Sequence, residues 1–147
     1  MIEQNVTVCH QECRFESVAN VLGFGLSFSA YEYSNLKISP EHSGSQATFK
    51  VTADITNTSD RAGAEIVQLY IRDKIGSVVR PVKELKGFDR IHLEPGASKQ
   101  VRFELGHEHL KMLDRDMNWT VEPGEFLIMI GSSSEDIRLS GSLWIEE

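Results

Sequence analysis

Side chains able to take part in acid–base or metal chemistry are concentrated in one polar stretch of this 147-residue chain. Asp114 and Asp116 are two residues apart, and His107 and His109 flank Glu108. Paired carboxylates can act as acid and base at one bond, and an H-x-H pair can bind a metal when a third ligand joins it. Paired Asp residues in a turn usually accept hydrogen bonds from backbone amides instead. We therefore predict no catalytic pair and no metal site here.

Two further groups could carry chemistry. Cys9 and Cys13 lie close together with His10 between them, but a structural zinc site needs about four ligands. They are expected to be free thiols, or a local disulfide if this stretch is oxidised. The serines at 132–134 follow Gly131, but no Lys follows them and no helix begins there, so they predict a polar strand connection rather than a phosphate-binding loop.

The overall composition limits the classes of partner. With 15 basic and 22 acidic residues, the chain has a formal net charge of -7, which does not favour nucleic acid or an anionic membrane as a partner. No apolar run approaches the roughly 20 residues that span a bilayer, and no signal peptide is visible. As written, the sequence is expected to be cytoplasmic, and its length is that of one domain.

Strand patterns dominate the rest of the chain. Residues 48–56 alternate strictly between apolar and polar, and residues 64–72 are apolar on one face and partly on the other, as in a central strand. Turn residues separate these segments at 57–63, 93–96 and 122–124. With no long amphipathic helix and about seven or eight short strands, the pattern predicts an all-β, immunoglobulin-like β-sandwich.

The segment 80–93 has the sequence R-P-V-K-E-L-K-G-F-D-R-I-H-L. Pro81 favours an extended entry, and Gly87 predicts a bulge or a close approach of two backbones. The apolar residues of the segment are interpreted as anchors for packing: Leu85, Phe88, Ile91 and Leu93. Residues 1–22 show no such pattern, so we divide the chain into a poorly ordered leader, 1–22, and a domain, 23–147.

Three motifs in this order resemble one known family: E-I-V-Q-L-Y-I-R-D at 65–73, the 80–93 segment, and L-E-P-G-A-S-K-Q-V-R-F-E-L at 93–105. They are similar to the C-terminal fibronectin type III-like domain of family 3 glycoside hydrolases, the β-glucosidase and β-xylosidase group. The stretch G-F-G-L-S-F-S at 23–29 resembles the connection that precedes this domain in the family. The resemblance implies a fibronectin type III-like sandwich from residue 23 to the C-terminus.

The resemblance also implies a function. In the family the two catalytic carboxylates lie in barrel and sandwich domains that this sequence does not contain, so no catalytic residue, cofactor or metal ligand is assigned. We expect a non-catalytic accessory domain whose docking surface contacts those catalytic domains. The residues assigned to that surface are Phe24, Leu26, Phe28, Arg80, Pro81, Lys83 and Lys86. Alternatively, these cations lie on a solvated edge strand and merely discourage strand association.

Two other partners stay open at this stage. A carbohydrate- or polymer-binding module would keep a hydrolase near its substrate, but the aromatic candidates do not cluster in sequence. They are Tyr31, Tyr33, Tyr70, Trp119 and Trp144. A docking surface without its partner would also favour a weak homodimer, because monomeric proteins rarely leave large apolar patches uncovered.

Overall fold

The computed structural model describes residues 29–74, 76 and 81–146. The predicted leader, and Phe24, Leu26 and Phe28 of the predicted docking surface, lie outside the described residues. Within the described part, the chain forms strands and one four-residue helix, α1 (His107–Leu110). The strands are β1 (Tyr31–Ser39), β2 (His42–Gly44), β3 (Phe49–Asn57), β4 (Gly63–Asp73), β5 (Glu84–Leu93), β6 (Ser98–Leu105), β7 (Met112–Leu113), β8 (Trp119–Thr120), β9 (Gly124–Gly131) and β10 (Ile137–Glu146).

The strands form two main sheets. One is three-stranded in the order β1-β3-β6, and the other is five-stranded in the order β2-β10-β9-β4-β5; β7 and β8 form a separate hairpin. Pairing is antiparallel except between β2 and the end of β10. The predicted all-β sandwich is confirmed. The described strands outnumber the prediction because β2, β7 and β8 have only two or three residues each.

The core lies between the two sheets. The predicted alternation in β3 is confirmed, since Phe49, Val51, Ala53 and Ile55 are fully buried. The facing sheet contributes fully buried apolar residues from β4, β9 and β10, which include Val67, Leu69, Ile71, Ile128, Ile130 and Leu143. Period-two alternation places each of these sets on one side of its strand, so the sheets can bury their apolar faces against each other.

A buried polar contact joins the two sheets near one end of the core. The Tyr33 hydroxyl on β1 donates a hydrogen bond of 2.7 Å to Glu65 Oε1 on β4. Burial and this acceptor raise the pKa of Tyr33, so the hydroxyl keeps its proton and remains a donor. The Arg138 guanidinium lies 4.9 Å above the Tyr33 ring and donates to the Tyr31 carbonyl oxygen. Buried polar groups of this kind are stable only when paired, and here they align β1 with β4 and β10.

The turn between β3 and β4 also holds the end of β5. The Asn57 side chain is fully buried and donates to the carbonyl oxygens of Arg61, at 2.7 Å, and Leu93, at 3.0 Å. Its amide oxygen accepts a 3.0 Å hydrogen bond from the Ser59 backbone amide, as in an Asx turn. The predicted turn at 57–63 is therefore confirmed, and it fixes one end of the β4–β5 pair.

In the described residues, no helix has the length and apolar character required to cross a membrane.

Candidate functional site

The pairing of β4 with β5 contains a bulge at Lys86. Leu69 pairs with Gly87, whereas the next residue, Tyr70, pairs with Leu85, so Lys86 is the extra residue on β5. Gly87 lies against the core, where a Cβ atom would be 3.1 Å from Phe103 Cδ1. A bulge is therefore present next to Gly87, whereas the close neighbour of Gly87 is the Phe103 side chain and not a second backbone.

The bulge decides where the apolar residues of β5 point. Ile91 and Leu93 face the core and are 1% and 5% exposed, which confirms them as anchors. Phe88 is three residues before Ile91, so the alternation of the strand points it outward. The extra residue, Lys86, turns Leu85 outward as well. Their exposures of 69% and 37% show that the interpretation of these two residues as packing anchors was wrong. The physical reason is that apolar character does not specify a face, and a bulge shifts the alternation by one.

We define the outer patch as the exposed apolar residues of this region: Ile66, Val82, Leu85 and Phe88. They account for four of the seven large apolar side chains that are exposed among the described residues. Ile66 on β4 is 46% exposed and lies diagonally from Phe88, because Gln68 pairs with Phe88 and Ile66 pairs with Arg90. Side chains in such diagonal positions are within reach of each other. Ile66 and Phe88 are therefore neighbours on the outward side, and Leu85 occupies the next outward position of β5.

Two buried polar residues of β4, which we call the floor, lie opposite the patch: Gln68 pairs with Phe88, and Tyr70 pairs with Leu85. Tyr70 and Gln68 are on the outward side of β4, yet they are only 1% and 4% exposed. The Tyr70 hydroxyl donates to Gln68 Oε1, and Gln68 Nε2 donates a 2.7 Å hydrogen bond to the Ser132 carbonyl oxygen. Burial raises the pKa of Tyr70, so it remains a donor. These bonds connect β4 to the end of β9 and hold the patch on a rigid base.

The charges on the outward side of β4 and β5 have one sign. The outward positions are 64, 66, 68, 70 and 72 on β4, and 85, 88, 90 and 92 on β5. They contain Arg72 and Arg90 and no Asp or Glu, although the whole chain has 22 acidic and 15 basic residues. This side is therefore cationic on an otherwise acidic molecule.

The described members of the predicted docking surface lie at the entry to β5. Pro81 is exposed. Lys83 Nζ donates to the Ser134 carbonyl oxygen, and Lys86 Nζ lies 2.9 Å from Glu84 Oε2 with side-chain exposures of 18% and 23%. Both lysines thus have partners within the domain. Arg80 lies outside the described residues.

The paired aspartates occupy the turn that the sequence predicted. Asp114 Oδ1 accepts hydrogen bonds of 2.8 Å from the Asp116 amide and 2.9 Å from the Asn118 amide. An oxygen that closes a turn in this way is a structural acceptor. The serines near 132 also form a polar connection, since the Ser133 hydroxyl accepts a 3.0 Å hydrogen bond from the Asp136 amide.

The histidines of the short helix have local partners. His109 Nδ1 accepts a 3.1 Å hydrogen bond from the Gly106 amide at the start of α1. His107 Nδ1 lies 3.3 Å from the Ser45 carbonyl oxygen. Across the described part of the chain, no group of three or more His, Cys, Asp or Glu residues is arranged to hold a metal ion.

The aromatic residues proposed for carbohydrate binding are dispersed. Tyr31, Tyr33 and Tyr70 are buried, so only Trp119 and Trp144 are exposed, at 60% and 42%. They lie in different sheets, and each ring has an internal partner. Lys111 Nζ is 4.7 Å from the Trp119 ring centroid, and the His42 ring stacks on Trp144 with a centroid separation of 6.1 Å.

A shallow cleft of about 430 Å³ lies between β1 and β10. Its lining residues include Leu36, Ile38, Glu41 and Ser142, and none of them is aromatic. A sugar-binding site usually offers an aromatic ring with polar groups that converge on it. The cleft lacks the ring, and the exposed tryptophans lack convergent neighbours of this kind.

Comparison with known proteins agrees with the fold. Residues 65–134 match the family described as fibronectin type III-like domain. The chain is 45% identical over 116 residues to a putative β-xylosidase of Formosa agariphila, which covers 79% of this chain and 15% of that protein. It is 42% identical over 122 residues to thermostable β-glucosidase B of Acetivibrio thermocellus, covering 82% of this chain and 16% of that protein.

A solved structure shows the same relationship. A β-glucosidase from Erythrobacter marinus matches with a TM-score of 0.80 and 40% identity, over 84% of this chain and 16% of that chain. The chain thus spans about one sixth of the length of the relatives that it matches. The chain carries a fibronectin type III-like domain of the group found in family 3 glycoside hydrolases, the β-glucosidases and β-xylosidases.

Proposed function

We propose that this domain is a non-catalytic module that docks onto and stabilises the catalytic domains of a family 3 glycoside hydrolase. The observation that carries the proposal is the asymmetry of the match to the Formosa β-xylosidase, which covers 79% of this chain and only 15% of the relative. A region of that size in a long enzyme is a domain among others. Hydrolysis of a β-glucoside or β-xyloside belongs to the other domains of such an enzyme.

The turn role of Asp114 supports a non-catalytic role for the described residues. Cleavage of a glycosidic bond requires two carboxylates about 5 to 10 Å apart at a pocket that holds the sugar. Asp114, the strongest candidate from the sequence, has an oxygen that is already used by two backbone amides. We expect the purified chain to give no turnover of aryl β-glucosides or β-xylosides. Turnover that persists through repurification and disappears in an Asp114→Ala, Asp116→Ala double variant would contradict this.

We propose that docking uses the residues at the entry to β5 together with the stretch 23–29, which resembles the connection that precedes this domain in the family. The surface comprises Phe24, Leu26, Phe28, Arg80, Pro81, Lys83 and Lys86. Support comes from Val82 and Leu85, which are exposed apolar residues interspersed among the described members of this surface. Interfaces commonly combine an apolar centre with a charged rim. The internal partners of Lys83 and Lys86 hold these side chains in place before a partner binds.

A chimeric enzyme tests the stabilising role. In thermostable β-glucosidase B of Acetivibrio thermocellus, this chain would replace the matching region, and a truncated enzyme without that region would serve as the reference. We expect the chimera to retain β-glucosidase activity to a temperature at least about 4 °C above that of the truncated enzyme, since domain burial adds stability. Equal thermal midpoints for the two proteins would contradict the proposed function.

A carbohydrate-binding role is the second candidate, and it rests on the exposure of Trp119 and Trp144. Because one side of each ring contacts an internal partner, we favour docking over sugar binding. Tryptophan fluorescence would be titrated with cello- and xylo-oligosaccharides, with a Trp119→Ala, Trp144→Ala variant as the control. A saturable change that the double variant loses would favour the second candidate.

A further inference from the structure

We propose that the outward side of β4 and β5, centred on Phe88, is a contact face for a folded protein surface that has an apolar centre and an acidic rim. This inference rests on the proposed function, in which the partner is a catalytic domain of the same enzyme. It goes further because it adds Ile66, Phe88 and the two arginines Arg72 and Arg90 to the contact and specifies the chemistry of the partner. Its central residues are Ile66, Leu85 and Phe88, with Arg72 and Arg90 at the ends.

The first argument is the position of the apolar residues. Scattered exposed apolar residues are normal on a protein surface, whereas a contiguous patch indicates an interaction site. Phe88 is 69% exposed on β5, and Ile66, which is 46% exposed, lies diagonally across from it on β4. Leu85 joins them only because the bulge at Lys86 turns it outward. Without the bulge, Leu85 would share the inward side with Gly87.

The second argument is that the face is already ordered. Its floor is formed by Tyr70 and Gln68, which are buried and bonded to each other and to the Ser132 carbonyl oxygen. A surface that is held in its bound geometry loses less conformational entropy on association. Large aromatic residues on such a base are the usual energetic centres of protein interfaces.

The third argument is the charge. Arg90 is opposite Ile66 on the neighbouring strand, and Arg72 is one outward position beyond Tyr70, so cations lie at both ends of the apolar residues. Both arginines are exposed, and no ion pair is found for either of them among the described residues. Complementary potentials favour a partner whose rim carries Asp or Glu.

The same charges argue against a second copy as the main occupant. Two copies meeting through this face would bring the arginines of one against those of the other, and like charges across an interface oppose association. An acidic-rimmed domain removes this cost and still covers Phe88. Self-association is therefore expected to be weaker than docking.

The test uses the same chimera and measures the thermal midpoint of its activity. A Phe88→Ser, Leu85→Ser double variant is expected to lose most of the stabilisation that the wild-type chain confers on the truncated enzyme. Met117→Ser is the matched control, because it removes a large apolar side chain of similar exposure, 72%, from the turn between β7 and β8. The isolated chains are measured as well, and the double variant should unfold within about 4 °C of the wild type, since neither residue belongs to the core.

Charge reversal tests the rim separately. Arg90→Glu is expected to lower the thermal midpoint of the chimera, with a smaller loss as salt is raised, whereas Lys99→Glu on β6 should have little effect.

Stabilisation that survives both the apolar double variant and Arg90→Glu would overturn the inference while the proposed function stands. If the wild-type chimera gains nothing over the truncated enzyme, the proposed function fails and this inference fails with it. Dimerisation of the isolated chain that Arg90→Glu strengthens and Phe88→Ser abolishes would assign the face to a second copy instead.

Discussion

Strands β3 and β5 are both rich in apolar residues, but they use them in opposite ways. In β3 the four apolar residues of the alternating pattern are completely buried. In β5 two of four are buried, and Leu85 and Phe88 are exposed. The central strand β3 pairs with β1 and β6, whereas β5 is the edge of its sheet and contains a bulge. The comparison shows that a strand pattern identifies a core strand reliably only when the alternation is unbroken.

The largest expected effect is a difference in stability between the two strands. Ile55→Ala in β3 should lower the free energy of unfolding by about 2–5 kcal/mol, because it leaves a cavity in a fully buried site. Phe88→Ala in β5 should change it by less than about 1 kcal/mol, because the side chain is already mostly in solvent. Urea denaturation of both variants with the wild type measures this. Equal losses would mean that Phe88 is a core residue and that the comparison is wrong.

The close packing of Gly87 against Phe103 can also be tested. A Cβ atom there would lie 3.1 Å from Phe103 Cδ1, so Gly87→Val should destabilise the domain by about 1–3 kcal/mol through overpacking. Gly44→Val is the control, since its Cβ would meet nothing within 4 Å. Thermal unfolding would compare the two variants, and Phe103→Leu should restore part of the loss in the Gly87 variant. A Gly87→Val domain as stable as the control would show that Phe103 has room to move.

Acidification should lower the stability of the domain through a carboxyl group on β3, whereas the outward positions of β5 contain no Asp or Glu. Hydrogen bonds from Asn35, at 2.9 Å, and Gln100, at 3.1 Å, lower the pKa of Asp54 on β3 below its ordinary value of 3.8. A carboxyl with a lowered folded-state pKa stabilises the fold above its unfolded pKa and loses that contribution as the pH falls through the folded value. Asp54→Asn should therefore reduce the loss of stability on acidification as the pH approaches 3.8 and goes below it.

Chemical denaturation at a series of pH values would measure this small effect. Asp116→Asn is the matched control, because Asp116 is an exposed carboxylate in the turn between β7 and β8. An identical pH dependence for the wild type and Asp54→Asn would show that the two hydrogen bonds do not favour the ionised form.

The weakest expected effect concerns the predicted leader. If residues 1–22 form no part of the sandwich, their removal should shift the thermal midpoint by no more than about 4 °C. Calorimetry of the full chain and of a chain that begins at residue 23 would compare them. A larger drop would mean that the leader contributes to the sandwich and that the predicted domain boundary is wrong.

Much of the fold could be predicted from local sequence. The alternation in β3 and the turns at 57–63 and 122–124 depend on neighbours along the chain, so their residues are sufficient to indicate them. The family motifs supported the same sandwich. The turn function of Asp114 was predicted for the same reason, because its acceptors and donors lie within four residues.

The outer patch and its floor were decided by tertiary structure. Phe88 and Leu93 are similar apolar residues on one strand, but the register places only Leu93 against the core, and the bulge at Lys86 turns Leu85 outward. The contact between Tyr33 and Glu65 joins residues 32 positions apart, and Gln68 reaches Ser132, so neither contact leaves a local pattern. The sequence by itself determined the strands, the turns and the family, because these follow from neighbouring residues. Only the packed sheets determined which apolar residues remain uncovered, because exposure depends on what lies across from each strand.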